Sequence, residues 1–122
     1  MKTLKDYIFV DCVLMDFYVD KLISTVIIVT ESYYPMYNGK RQKGTIKLSL
    51  KNIMNFTMSK LIEFDFDIQS NYGKDKYNDT IANEVYHIKD TVTENNTHNI
   101  ELDSDFLKLT VICGQIEIEE IR

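Results

Sequence analysis

The stretch Thr45-Ile46-Lys47-Leu48-Ser49-Leu50-Lys51 decides the reading of this chain. Ile46, Leu48 and Leu50 fall on one set of alternate positions, with Lys47, Ser49 and Lys51 on the other. A period of two on extended backbone puts the apolar set on one face and the polar set on the opposite one, so the stretch reads as a strand with one wet face. The same alternation recurs at Glu63 to Gln69, where Phe64, Phe66 and Ile68 point inward and Glu63, Asp65 and Asp67 outward.

Working outward, Val10 to Val19 reads as a first strand and Leu22 to Val29 as a second, apolar on both alternating sets and so covered on both faces. Tyr33 to Gly44 carries Pro35, Asn38, Gly39 and Gly44 and reads as a loop. Asn52 to Lys60 fits either a helical turn or a strand; its Asn, Thr and Ser content favours strand or irregular connection. Asn71 to Thr80 reads as a polar loop. Val85 to Val92, His98 to Asp103, Phe106 to Cys113 and Gln115 to Ile121 read as strands, with turns at Ser104-Asp105 and Gly114. The expected fold is all-β, possible short helix aside: one domain over residues 1–122, as an antiparallel sandwich or curled barrel-like sheet of seven to nine short strands.

Composition agrees. The chain has 15 Ile, 8 Val and 10 Thr but one alanine, Ala82. β-branched side chains pack well on a pleated surface and lose rotamer freedom in a helix. Lys2 and Lys5 precede an apolar run that stops at Asp11, too short for a secretory signal, and Val26 to Val29 is far too short to span a membrane. The expected compartment is the cytoplasm. Cys12 and Cys113 read as small buried hydrophobes.

The net charge of −5 is unevenly spread. Residues 32 to 62 hold Lys40, Arg41, Lys43, Lys47, Lys51 and Lys60 and no acid, whereas residues 63 to 122 hold fourteen acids against five bases. Three acidic groups stand out: Glu63, Asp65 and Asp67; Glu101, Asp103 and Asp105; and Glu117, Glu119 and Glu120. A row of carboxylates on a strand face can steer a basic partner and set its register; it can equally be a solvated face that keeps a sheet soluble. Tyr33, Tyr34 and Tyr37 beside Arg41 form a second candidate contact, since tyrosine and arginine anchor interfaces. The acidic balance argues against nucleic acid as the partner.

Catalytic constellations are missing from the sequence. There is no zinc-type cysteine pair, glycine-rich phosphate loop or nucleophile elbow. His87 with Asp90, or His98 with Glu101, would fall on opposite faces of a straight strand and could not chelate together. A cysteine–histidine nucleophile would need the fold to join distant residues. The chain reads as a non-enzyme without cofactor or metal, with an apolar-ligand or lipid-binding barrel as the alternative to a protein-binding module.

Asp11-Cys12-Val13-Leu14, then Ile46-x-Leu48-x-Leu50-Lys51-Asn52-Ile53-x-x-Phe56, then Phe106-Leu107-Lys108-Leu109-Thr110-Val111 leading into Ile116-Glu117-Ile118 give an order of segments that resembles the small all-β immunity proteins encoded beside bacterial polymorphic and contact-dependent toxins. The resemblance spans most of the chain as a strand pattern. It implies a cytoplasmic protein that binds and neutralises one cognate toxin, with no catalysis and no cofactor, and it carries no catalytic residue to transfer.

Overall fold

The computed structural model describes residues 3–35, 42–60, 65–67, 72–74, 80–105 and 107–121, and side chains from 60 to 82 lie outside that description. A 3-10 turn at Leu4–Asp6 is followed by β1 (Cys12–Asp20), β2 (Thr25–Tyr33), β3 (Lys43–Lys60), β4 (Asp65–Asp67), β5 (Tyr72–Lys74), β6 (Thr80–Ala82), β7 (Glu84–Val92), β8 (His98–Ser104) and β9 (Leu107–Ile121). Six strands close into an antiparallel barrel in the order β1-β2-β3-β9-β8-β7, and β4-β5-β6 form a small sheet of their own. Tyr72–Lys74 is thus a strand inside the segment expected to be a loop. Among the described residues no helix is long and apolar enough to cross a membrane.

The ring uses fewer strands than the expected seven to nine because two of them are long. β3 runs for 18 residues and β9 for 15, paired from Thr45↔Ile121 to Lys60↔Leu107. Each occupies a span that reads in sequence as two segments. The expected turn at Gly114 is absent; the strand continues through it. Asn52, opposite this level, takes a left-handed conformation (φ 58°), which asparagine tolerates better than most residues. A Cβ on Gly114 would lie 3.2 Å from the Asn52 Cβ, so glycine here serves a close approach of two strands.

At this level the inward parity changes in both strands. Leu48 and Leu50 face Ile118 and Ile116 on one side of it; Ile53 faces Cys113 on the other. A register shift between Ile53 and Asn55 then returns even-numbered residues of β3 to the inner side, with Phe56 opposite Val111 and Met58 opposite Leu109.

The inward side chains meet in one core. Val26, Ile28, Ile46, Leu48, Leu50, Ile100 and Val111 have no solvent exposure. Tyr7 and Tyr34 cover one end, their rings edge to face at 6.4 Å and 86°. The Tyr34 hydroxyl accepts from Thr45 N–H (3.0 Å) and lies within donating reach of the Thr45 (2.8 Å) and Ile121 (3.1 Å) carbonyls. The ring closes through a short seam: β1 meets β7 at Cys12↔Val85 and Val13↔Glu84.

Candidate functional site

Two acids of the rows seen in sequence, Asp103 and Glu117, have basic side chains of neighbouring strands within ion-pair distance. On β8, Asp103 sits between His87 of β7 (3.0 Å) and Lys108 of β9 (3.9 Å), and Glu101 stands opposite Lys89. Asp105 leaves the row to accept the Glu84 N–H at 3.0 Å and the Tyr86 hydroxyl. That hydrogen bond to a carboxylate, with burial adding to it, pushes Tyr86 up to about 12. In the third group Glu117 pairs with Lys51 at 2.9 Å and Glu119 stands opposite Lys47. Glu120 turns to the inner side, where it accepts from the Tyr7 hydroxyl at 3.3 Å. The basic middle of the chain and its acidic second half therefore interleave on the β3–β9 wall.

For the first row, Asp65 and Asp67 lie on β4, paired with Lys74 and Tyr72 of β5, but their side chains are outside the described residues, as is all of Glu63. Tyr37 and Arg41 also fall outside them. Tyr34, expected as an exposed anchor, is buried in the barrel end. Tyr33 is half-buried, with the Lys43 ammonium 5.8 Å from its ring centre. Among the described residues, Tyr33, Tyr34, Glu101, Asp103 and Asp105 are not gathered at one place.

The histidines pair across strands, a geometry that spacing along one strand does not reveal. His87 meets Asp103, and His98 Nδ1 lies 3.0 Å from Asp90. The fold also sets His98 directly opposite Cys113. Burial pushes the Cys113 thiol up to about 11, which disfavours the thiolate at neutral pH. Burial also raises Cys12. For Cys113 the sign follows directly: its contribution to stability is complete below the ordinary thiol value of 9.0 and is lost as pH rises through about 11. The native chain at pH 9 should accordingly resist alkylation by iodoacetamide at both cysteines, while the denatured chain reacts at once. Rapid loss of free thiol from native protein would contradict this arrangement. Beside His98, a groove of about 590 Å³ runs along β7, lined by Leu4, Lys5, Ile88, Lys89 and Asp90 among others. Among the described residues no three His, Cys, Asp or Glu side chains are grouped to hold a metal ion.

The most unusual surface is apolar. The β1–β2 hairpin ends at Asp20 and Thr25, so β2 pairs with β3 only as far as Lys51. β3 continues to Lys60, with β9 on one edge and, among the described residues, no strand on the other. The hairpin tip exposes Leu22 (97%) and Ile23 (62%), and the open half of β3 exposes Met54 (62%), Phe56 (36%) and Met58 (41%). Phe56 and Met58 share the inner-side register of Val111 and Leu109 yet remain accessible, and Phe56 stacks on Phe17 at 6.1 Å and 8°. The Ile53 N–H donates to Ser24 C=O at 3.4 Å, which joins the tip to the start of the open edge. Exposed apolar side chains contiguous with an unpaired strand edge are what a binding surface requires and what an isolated soluble sheet avoids. Sequence reading favours a strand or irregular connection here, and no local pattern shows that this stretch runs beyond the end of its pairing with β2.

No family model matches the chain, and no curated protein matches it. 

Proposed function

We propose that the chain is a non-catalytic protein-binding module of the immunity type, which holds a cognate toxin domain inactive. The observation that supports this reading is the apolar surface made by the Leu22-Ile23 tip and the open half of β3. Large apolar side chains in contact with solvent supply the desolvation that drives protein association, and the adjoining backbone edge supplies directional hydrogen bonds. The net charge of −5 favours encounter with a basic partner, such as a nuclease whose cleft is built for phosphates. The immunity assignment itself comes from the strand-pattern resemblance. The filled barrel centre gives the alternative, an apolar ligand held inside the barrel, no comparable support.

The test uses the cognate toxin domain that this reading expects to be encoded beside the chain. Leu22→Asp with Ile23→Asp places two charges at the centre of the proposed contact. We expect binding at least about 100-fold weaker by calorimetry, equivalent to roughly 2.7 kcal/mol. Cells producing the toxin should lose protection. The thermal midpoint should stay near that of the unchanged chain, because both side chains are exposed. Full affinity and full protection in the double variant would remove this surface as the contact.

A further inference from the structure

We infer that the open edge of β3 pairs with the same edge of a second copy, giving a two-fold antiparallel dimer centred on Phe56. The inference rests on reading this edge as a protein-binding surface and names its occupant in the toxin-free protein, a second copy that the toxin would displace.

Three observations lead there. The first is symmetry in the residues themselves. Met54-Asn55-Phe56-Thr57-Met58 reads nearly the same in both directions about Phe56. In an antiparallel pairing about that residue, Met54 faces the mate's Met58, Phe56 faces Phe56, and Asn55 faces Thr57. Within this stretch every large apolar side chain meets another one, as the favourable cross-strand pairs of a sheet do.

The second is charge. From Asn52 to Ser59 the strand holds no charged residue and no proline, the devices that natural edges use to repel a second strand. Lys60 lies beyond the stretch from Met54 to Met58, so no like charges oppose each other there. An unguarded edge invites open-ended stacking unless its pairing closes. A two-fold axis closes it, since this edge of each copy pairs with the same edge of the other.

The third is the backbone. The Phe56 N–H donates to the side-chain oxygen of the preceding residue, Asn55 Oδ1, at 2.9 Å. Its own neighbour thus supplies an acceptor that a strand carbonyl could replace. In the dimer, Phe56 exchanges N–H and C=O with its mate at the axis, and the Asn55 amide is released to meet Thr57 of the mate. The exposed Phe56 ring, stacked on Phe17, becomes covered by its symmetry copy.

Sedimentation equilibrium of the full chain across a dilution series, without toxin, tests this. The unchanged chain should fit a monomer–dimer equilibrium. Met54→Lys with Met58→Lys sets lysine against lysine twice across the axis, and should weaken dimerisation by about 100-fold. Met54→Lys with Met58→Glu places opposite charges across the same two pairs, and should bring dimerisation back to within about tenfold of the unchanged chain. This second variant also guards against misfolding, since it makes the same number of apolar-to-charged changes. A monomer at every concentration, a lysine pair that leaves the dimer intact, or a charge-swapped variant as dissociated as the lysine pair would each overturn the inference. Those outcomes leave the toxin-binding surface standing, which is judged separately by the Leu22→Asp, Ile23→Asp double variant.

Discussion

Gly44→Ala should destabilise the protein by about 3 kcal/mol, lowering the thermal midpoint by roughly 10 °C for a domain of this size. A methyl group on Gly44 would occupy the space of the Tyr34 ring. The ring cannot move aside cheaply. It is buried, it meets Tyr7 edge to face, and its hydroxyl serves Thr45 N–H and the carbonyls of Thr45 and Ile121. Displacing it breaks hydrogen bonds in a region from which water is excluded, where an unsatisfied group costs about 1–3 kcal/mol. Chemical denaturation of single and double variants checks the cause. In a Tyr34→Leu background, the Gly44→Ala substitution should cost far less than it does alone. An equal cost in both backgrounds would show that the ring is not what excludes the methyl group.

Leu48→Ala should cost about 3–4 kcal/mol. Leu48 has no solvent exposure and sits mid-strand in β3, opposite Ile28 of β2 and Ile118 of β9. Truncation leaves a cavity bounded by two paired strands that cannot both close in on it. Lys47, one position earlier, points to the outer wall opposite Glu119 and should tolerate alanine within about 0.5 kcal/mol. Urea denaturation of the two variants measures the contrast. Comparable losses at both positions would mean that the inner and outer faces of β3 are wrongly assigned.

These two predictions differ in how much of their basis is visible in the sequence. The Leu48 contrast is legible in Thr45 to Lys51, because period-two alternation is local and each side chain's face follows from its neighbours. The Tyr34–Gly44 contact is not legible. Tyr34 stands in a loop-like cluster of tyrosines, and nothing in that cluster says which ring turns inward. The length of β3 and β9 was hidden for a related reason. Asn52 and Gly114 look like turn residues when read singly, and only their placement side by side shows two strands bending together. Glu101, Asp103, Glu117, Glu119 and Glu120 lie on strands, but the contacts of Asp103 with His87 and Lys108 and of Glu117 with Lys51 depend on register between strands. The apolar edge of β3 was hidden most completely. Its exposure comes from where a different hairpin ends, at Thr25, and not from any pattern within residues 53 to 59.

The long β3–β9 pairing carries a consequence for synthesis. Residues 43–60 leave the ribosome well before residues 107–121, and until then the wall that joins both halves of the barrel lacks one of its two strands. A nascent chain therefore spends the translation time of that interval with Ile46, Leu48 and Leu50 exposed beside backbone that has no mate. Such widely separated pairing slows folding and leaves the partly made chain open to aggregation during its own production.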